Sequence, residues 1–272
     1  MGYKRILLAI AFALLLAACG GDEATPTTTA SAADGAAEEE MVDEPMSEDD
    51  MSEDDMSEES MAGEEMSDDS MSEDGHMPTT FTVTITSNEA APLPTPLAPG
   101  AYLVHTSMDT LFVDGEPDRG AGLEALAEDG DPSILAAWLE SEATISHSGT
   151  FANPDGGTEP GPALPGSGYS FTVEAVPGDY LTFATMFVQS NDWFFAPASS
   201  GLSLFDGDTP IEGDITDLIR LWDAGTEVDE TPGEGANQAP RQAGPDTGDD
   251  QDGPISSVPD YDGTITVTIA VG

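Results

Sequence analysis

Phe81-Thr82-Val83-Thr84-Ile85-Thr86 alternates apolar and hydroxyl side chains, and Ile265, Val267 and Ile269 repeat the pattern in "GTITVTIAV" near the C-terminus. A period of two places the apolar set on one face of a strand. The two segments are expected to meet in one sheet. Between them, "YSFTVEAVPGDYLTFATMFVQ" carries two more strands around Pro177-Gly178-Asp179, read as the turn that sets one strand beside its neighbour. Further strand candidates are Ala101 to Thr106, Ala143 to Phe151, Gly201 to Phe205 and Ile215 to Trp222. One stretch breaks the period: in "GAGLEALAEDGDPSILAAWLE", Leu123 and Leu126, then Ile134, Leu135, Trp138 and Leu139, follow helical spacing around Asp131-Pro132. The 194 residues from Thr79 to Gly272 suit one domain. The expected fold is mainly β, a sandwich of about eight antiparallel strands with a short helical insertion.

The first residues predict export. Lys4 and Arg5 precede an apolar run, Ile6 to Leu16, that is too short to span a bilayer and ends in small residues at Leu16-Ala17-Ala18-Cys19. This end resembles the lipobox of bacterial lipoproteins, which implies that residues 1–18 are a signal peptide and that Cys19 becomes the lipidated first residue. An ordinary secretory signal is the plain alternative, and it would leave the chain's one cysteine as an unpaired thiol. With Cys19 so used, disulfides, thiol catalysis and cysteine metal sites are excluded. The resemblance implies a membrane anchor through lipid on Cys19, and Gly20 in place of an inner-membrane retention signal favours the outer membrane or cell surface.

Residues 19–78 read as a disordered acidic tether. They hold almost no aliphatic or aromatic side chains, so burial cannot offset the entropy of ordering. Met41, Met46, Met51, Met56, Met61, Met66 and Met71 recur every five residues, which builds neither a helical nor a strand face. A Cu(I) site of these thioethers with His76 and Met77 is the sharper reading. The many hard carboxylates among them favour a spacer. Its 58 residues from Gly20 to Met77 reach at most about 200 Å.

Acid dominates throughout: 54 Asp plus Glu against 5 Lys plus Arg leave a formal charge of -49. Loss of the signal removes Lys4 and Arg5, so Arg119, Arg220 and Arg241 are the remaining cations. Nucleic acid and anionic lipid surfaces are excluded as charge partners, while cations in general are attracted. Any single cluster of carboxylates is therefore weak evidence of a site.

Two segments share a pattern that does mean more. "FVQSNDWFFAP" and "LWDAGTEVDE" each run an apolar strand into an Asp beside a Trp, at Asp192-Trp193 and Trp222-Asp223. With "QAPRQAGP" and "PLAPGAYLVH", and in this order, they resemble the bacterial form of the spondin N-terminal (F-spondin) domain over most of the region from Phe81 to Val271. The resemblance implies a β-sandwich of extracellular adhesion proteins with Ca²⁺ at one end. It implies the ligands Asp192, Asp223 and Glu227. Three carboxylates with backbone carbonyls and water match the hard-oxygen preference of Ca²⁺. Asp229, Glu230 and Glu234 then read as solvated charge, and Arg241 as a partner for a carboxylate. Two positions depart from the pattern: the animal domains usually have Asp where Glu227 stands and Pro where Asn191 stands; they also carry disulfides that this chain lacks.

The leading expectation is a non-enzymatic, calcium-binding adhesion or recognition module on a cell-surface lipoprotein, with an extracellular protein or glycan as ligand. The alternative is a carbohydrate-binding sandwich with a structural metal, in which Trp193 and Phe194 stack on sugar faces. Catalysis is disfavoured, because His76, His105 and His147 have no Ser or Cys nucleophile pattern beside them.

Overall fold

A computed structural model describes residues 76–108, 110–259, 261 and 263–272, all within the compact unit Glu65–Gly272. The expected signal peptide, the lipidation at Cys19 and nearly all of the expected tether lie outside the described residues. Among those described, no helix is long and apolar enough to cross a membrane.

In chain order the elements are β1 (Thr79–Ser87), β2 (Leu97–His105), α1 (Leu123–Asp129), α2 (Ser133–Leu139), β3 (Ile145–Phe151), β4 (Gly168–Ala175), β5 (Tyr180–Phe187) and β6 (Trp193–Pro197). There follow four short strands, β7 (Leu202–Ser203), β8 (Phe205–Asp206), β9 (Thr209–Pro210) and β10 (Gly213–Asp214). Then come a 3₁₀ turn at Thr216–Leu218, β11 (Ile219–Asp223), β12 (Ser256–Ser257) and β13 (Ile265–Val271). The fold is a β-sandwich, mainly β, with antiparallel ladders.

One sheet has the order β10-β13-β1-β4. The two alternating termini do pair in it: Val83 faces Ile269 and Ile85 faces Val267 across β1 and β13. Phe81, Val83 and Ile85 are buried on one face while the intervening threonines are only half-buried, as the period of two requires. The second, seven-stranded sheet has the order β12-β11-β6-β5-β2-β3, with β7 added beside β5. Phe183, Phe187 and Phe195 point from it into the core between the sheets, against Phe81, Phe171 and Tyr169 of the first.

The second sheet is also covered on its outer face, so the short helical insertion forms a third layer. Leu123, Leu126 and Ala127 of α1 and Leu135 and Leu139 of α2 pack with Ala101, Ala184, Phe194, Ala196 and Trp222 of the sheet. Small residues at Ala101, Ala184 and Ala196 leave room for the helices. This double coverage explains why β5 and β6 read as nearly unbroken apolar runs. The two helices are separated at Gly130, whose φ of 68° ends α1 in the left-handed region and whose N–H caps the Leu126 carbonyl.

Three expectations differ from the structure. Pro177-Gly178-Asp179 does not join neighbours in one sheet; it carries the chain from β4 in one sheet to β5 in the other. The turn is held by Asp179, whose N–H donates to the Val176 carbonyl and whose carboxylate accepts from the Val176 N–H. Apolar alternation is the same on either side of a hairpin and of a sheet-to-sheet crossing, so the sequence does not separate them. Next, the strand expected from Ile215 begins only at Ile219, because Asp214 accepts the Thr216 N–H and starts a 3₁₀ turn. The Gly201 to Phe205 strand is divided between β7 and β8.

Candidate metal centre

The candidate site lies where β6 begins and β11 ends. These strands are adjacent and antiparallel, with Trp193 opposite Asp223. That register places Asp192, just before β6, opposite Ala224, and the Ala224 N–H donates to the Asp192 carbonyl to extend the ladder. Asp192 and Asp223 therefore meet at one end of the sheet through pairing of two segments distant in sequence.

Asp192 is fully buried. Its Oδ2 accepts the N–H groups of Thr226 (3.1 Å) and Glu227 (3.2 Å). Its Oδ1 is buried with no hydrogen-bond partner. A buried carboxylate oxygen without a donor is costly, and this one belongs to a cluster: ligand atoms of Asp192, Asp223 and Asp229 lie within 4.8 Å of one another. Asp223 Oδ1 accepts the Gly225 N–H at 2.7 Å. Gly225 has a φ of 69°, and a Cβ there would stand 2.9 Å from the Gly253 carbonyl, so the turn after Asp223 demands glycine.

Asp192 and Asp223 are brought together as expected for a shared ligand set. The expected third member, Glu227, is not in this group, and Asp229 is. Trp193 and Asn191, both from the strand end that carries Asp192, sort the two acids. The Trp193 indole N–H donates to Asp229 Oδ1 at 3.0 Å. The Asn191 side-chain amide donates to Glu227 Oε2 at 3.0 Å and to the Val228 carbonyl, while its Oδ1 accepts the Glu230 N–H. Asn191 and Glu227, the two departures from the resembled pattern, are thus each other's partners. Glu227 contributes its backbone N–H to Asp192, and its carboxylate occupies the space that Gly248 leaves by having no side chain. Asp229 is exposed, as expected of solvated charge, but the indole donor holds it toward the cluster. Glu230 is also engaged: its carboxylate takes the N–H groups of Ala236 and Asn237 and the Asn237 side-chain amide.

The electrostatics carry the mark of crowded, dry carboxylates. Burial, and then the charge of Asp223, push the Asp192 carboxyl up to about 8, against the two backbone N–H groups that oppose the rise. Asp223 is raised by burial, eased by the Gly225 N–H, raised again by Asp229 and eased by the neighbouring Asp192 carboxyl. Glu227 is raised by burial, eased by Asn191 and raised again by Glu230, Asp129 and Asp246. A divalent cation among Asp192, Asp223 and Asp229 would offset the penalties on Asp192 and Asp223, since it favours the ionised form of each oxygen that it touches. The donor set is all hard oxygen, in keeping with Ca²⁺ chemistry.

The aromatics expected as ligand contacts are core. Trp193 is buried among Phe187 and Tyr261 between the sheets, and Phe194 is fully buried under Phe112 on the helical side. The alternation of a strand sends their rings to opposite faces, and both faces of this sheet are covered, so neither ring is presented to a sugar. Arg241 donates to the Gly235 carbonyl and to Gln238 Oε1, which makes it a brace within its own loop in place of the carboxylate partner expected. His105 is fully buried, with Nδ1 at the Ser107 carbonyl and Nε2 at the Thr182 hydroxyl, as a structural histidine would be.

No known protein-family model matches the chain, and no curated protein matches it significantly.

Proposed function

We propose that this chain is a lipid-anchored cell-surface protein whose β-sandwich, similar to spondin N-terminal domains, binds Ca²⁺ and serves adhesion or recognition without catalysis. The single observation that carries the calcium reading is the orphaned, fully buried Oδ1 of Asp192, set in a group with Asp223 and Asp229. Asp192, Asp223 and Asp229 hold the ion, with Glu227 as the neighbour whose N–H fixes Asp192. The ion's chemistry is structural: it neutralises the acids and ties the segment after β11 to the end of β6. The ordered loop end so formed is the recognition surface for an extracellular protein or glycan. The 58 residues from Gly20 to Met77 are enough in number to serve as the spacer that an anchored domain needs to clear the envelope.

Calorimetric titration of the full chain with Ca²⁺ tests the site. Asp223→Ala and Asp229→Ala are each expected to lose a specific binding event, and Glu227→Gln to weaken it less than either. Wild-type binding in both Asp variants would overturn the assignment. Labelled palmitate incorporated by the wild type and not by Cys19→Ser tests the anchor.

A further inference from the structure

A second group of acids lies outside the centre described above. Glu124 and Glu128 are four residues apart in α1, so they share one helix face. Asp246, from the loop that precedes β12, meets them: ligand atoms of all three lie within 4.8 Å of one another. They line a cleft of about 570 Å³ whose wall also includes Gly122, Ile134 and Pro245. The loop is moored there by Gln242, whose side-chain amide donates to Asp129 Oδ1 at 2.6 Å.

Acids on a surface need no explanation, but Glu128 is not on the surface. It is 4% exposed, and its Oε1 is buried without a hydrogen-bond partner. The Thr226 hydroxyl, close enough to ease the charge on Glu128, is itself buried and makes no regular hydrogen bond. Like charges at a four-residue helical spacing repel. Glu128 and Asp129 also lie in the last turn of α1, which has no basic residue, where the helix dipole disfavours negative charge. An internal carboxylate and two exposed ones around one open cleft form a set of hard oxygens that lacks its positive charge.

We propose that this cleft is a second cation site, in which Glu124, Glu128 and Asp246 bind a divalent ion, Ca²⁺ by the hardness of the donors, and clamp the loop before β12 onto α1. Glu128 is the internal anchor. Glu124 and Asp246 close over the ion from the solvent side, and water completes the shell.

The test is calcium titration of the full-length chain at physiological salt, by calorimetry and by thermal melting, in wild type, Glu128→Gln, Asp246→Asn, Asp223→Asn and the Glu128→Gln/Asp223→Asn double variant. The acidic N-terminal segment is common to all five, so its weak binding cancels in the differences. Asp246 is exposed and has a φ of 55°, which asparagine adopts readily, so that variant separates loss of the ion from loss of the fold. Glu128→Gln and Asp246→Asn are each expected to lose one equivalent of bound Ca²⁺ and part of the calcium-induced rise in Tm, and the double variant to lose a further equivalent. Wild-type stoichiometry and wild-type Tm rise in both Glu128→Gln and Asp246→Asn would overturn the second site. Loss confined to those two, with Asp223→Asn unchanged, would instead overturn the first centre and leave the second standing.

Discussion

Asp192→Asn is expected to stabilise the fold in chelator and to remove its stabilisation by calcium at this centre. The substitution keeps the shape of the side chain: the asparagine oxygen takes over the N–H groups of Thr226 and Glu227, and its amide nitrogen occupies the position of the orphaned Oδ1. There it offers a donor to the neighbouring carboxylates Asp223 and Asp229. In wild type, a carboxyl held at about 8 against an ordinary value near 4 costs up to about 5 kcal/mol at pH 7.5, at ~1.36 kcal/mol per pH unit. Rearrangement of the cluster and entry of water reduce this, so a gain on the order of 2–5 kcal/mol is expected for Asp192→Asn in chelator. For a domain of this size that raises Tm by roughly 5–15 °C. In Ca²⁺ at a hundredfold Kd, wild type gains ~2.7 kcal/mol from the ion at this centre, and the variant does not. Melts of both proteins, in chelator and across a Ca²⁺ series, read the effect directly. A variant that is no more stable than wild type in chelator, or that shows the full wild-type Ca²⁺ response, would refute the reasoning.

The same buried acids set the pH dependence without metal. Asp192 and Glu128 are both pushed up to about 8, chiefly by burial, so the folded chain binds more protons than the unfolded one between their ordinary values and 8. Stability in chelator is then greatest at low pH and falls as pH rises from about 5 to 8, by up to ~1.36 kcal/mol per pH unit for each group. Melting across that range should show the fall, and Asp192→Asn and Glu128→Gln should each flatten it. Trp193→Phe keeps the packing of the ring and removes the indole donor to Asp229; calcium affinity by calorimetry should fall by roughly 10–100-fold, the usual range for groups that orient a ligand. Tyr169→Phe removes a fully buried hydroxyl that donates to the Leu97 and Gly161 carbonyls and accepts the Ala163 N–H. Chemical denaturation should register a loss of about 1–3 kcal/mol with no change in calcium binding.

Period-two alternation in "FTVTIT" and "GTITVTIAV" was enough to predict a sheet joining the two ends of the folded region, because a half-buried strand leaves its face in the order of its side chains. The helical insertion was legible for the same reason, down to its break at Asp131-Pro132. That the helices cover the outer face of the second sheet was signalled weakly, by the unbroken apolar runs in β5 and β6. The crossing of Pro177-Gly178-Asp179 between sheets was not signalled at all, since pairing partners are chosen by packing across the whole core.

At the candidate metal centre, the Asp-Trp and Trp-Asp pairs pointed to Asp192 and Asp223, and the pairing of β6 with β11 brings them to one place. Which acid joins them could not be read from spacing. Asp223, Glu227, Asp229 and Glu230 fall within eight residues, and in so acidic a chain all four are equivalent on paper. The choice is made by Trp193 and Asn191, each donating to its acid from 36 residues away. Likewise the spacing of Glu124 and Glu128 is written in the helix, while Asp246 reaches them only because a distant loop closes on α1. Sequence determined which faces are apolar and which residues are acidic. The tertiary structure decided which of those acids lose their water, because desolvation depends on everything packed around a group and not on its neighbours in the chain.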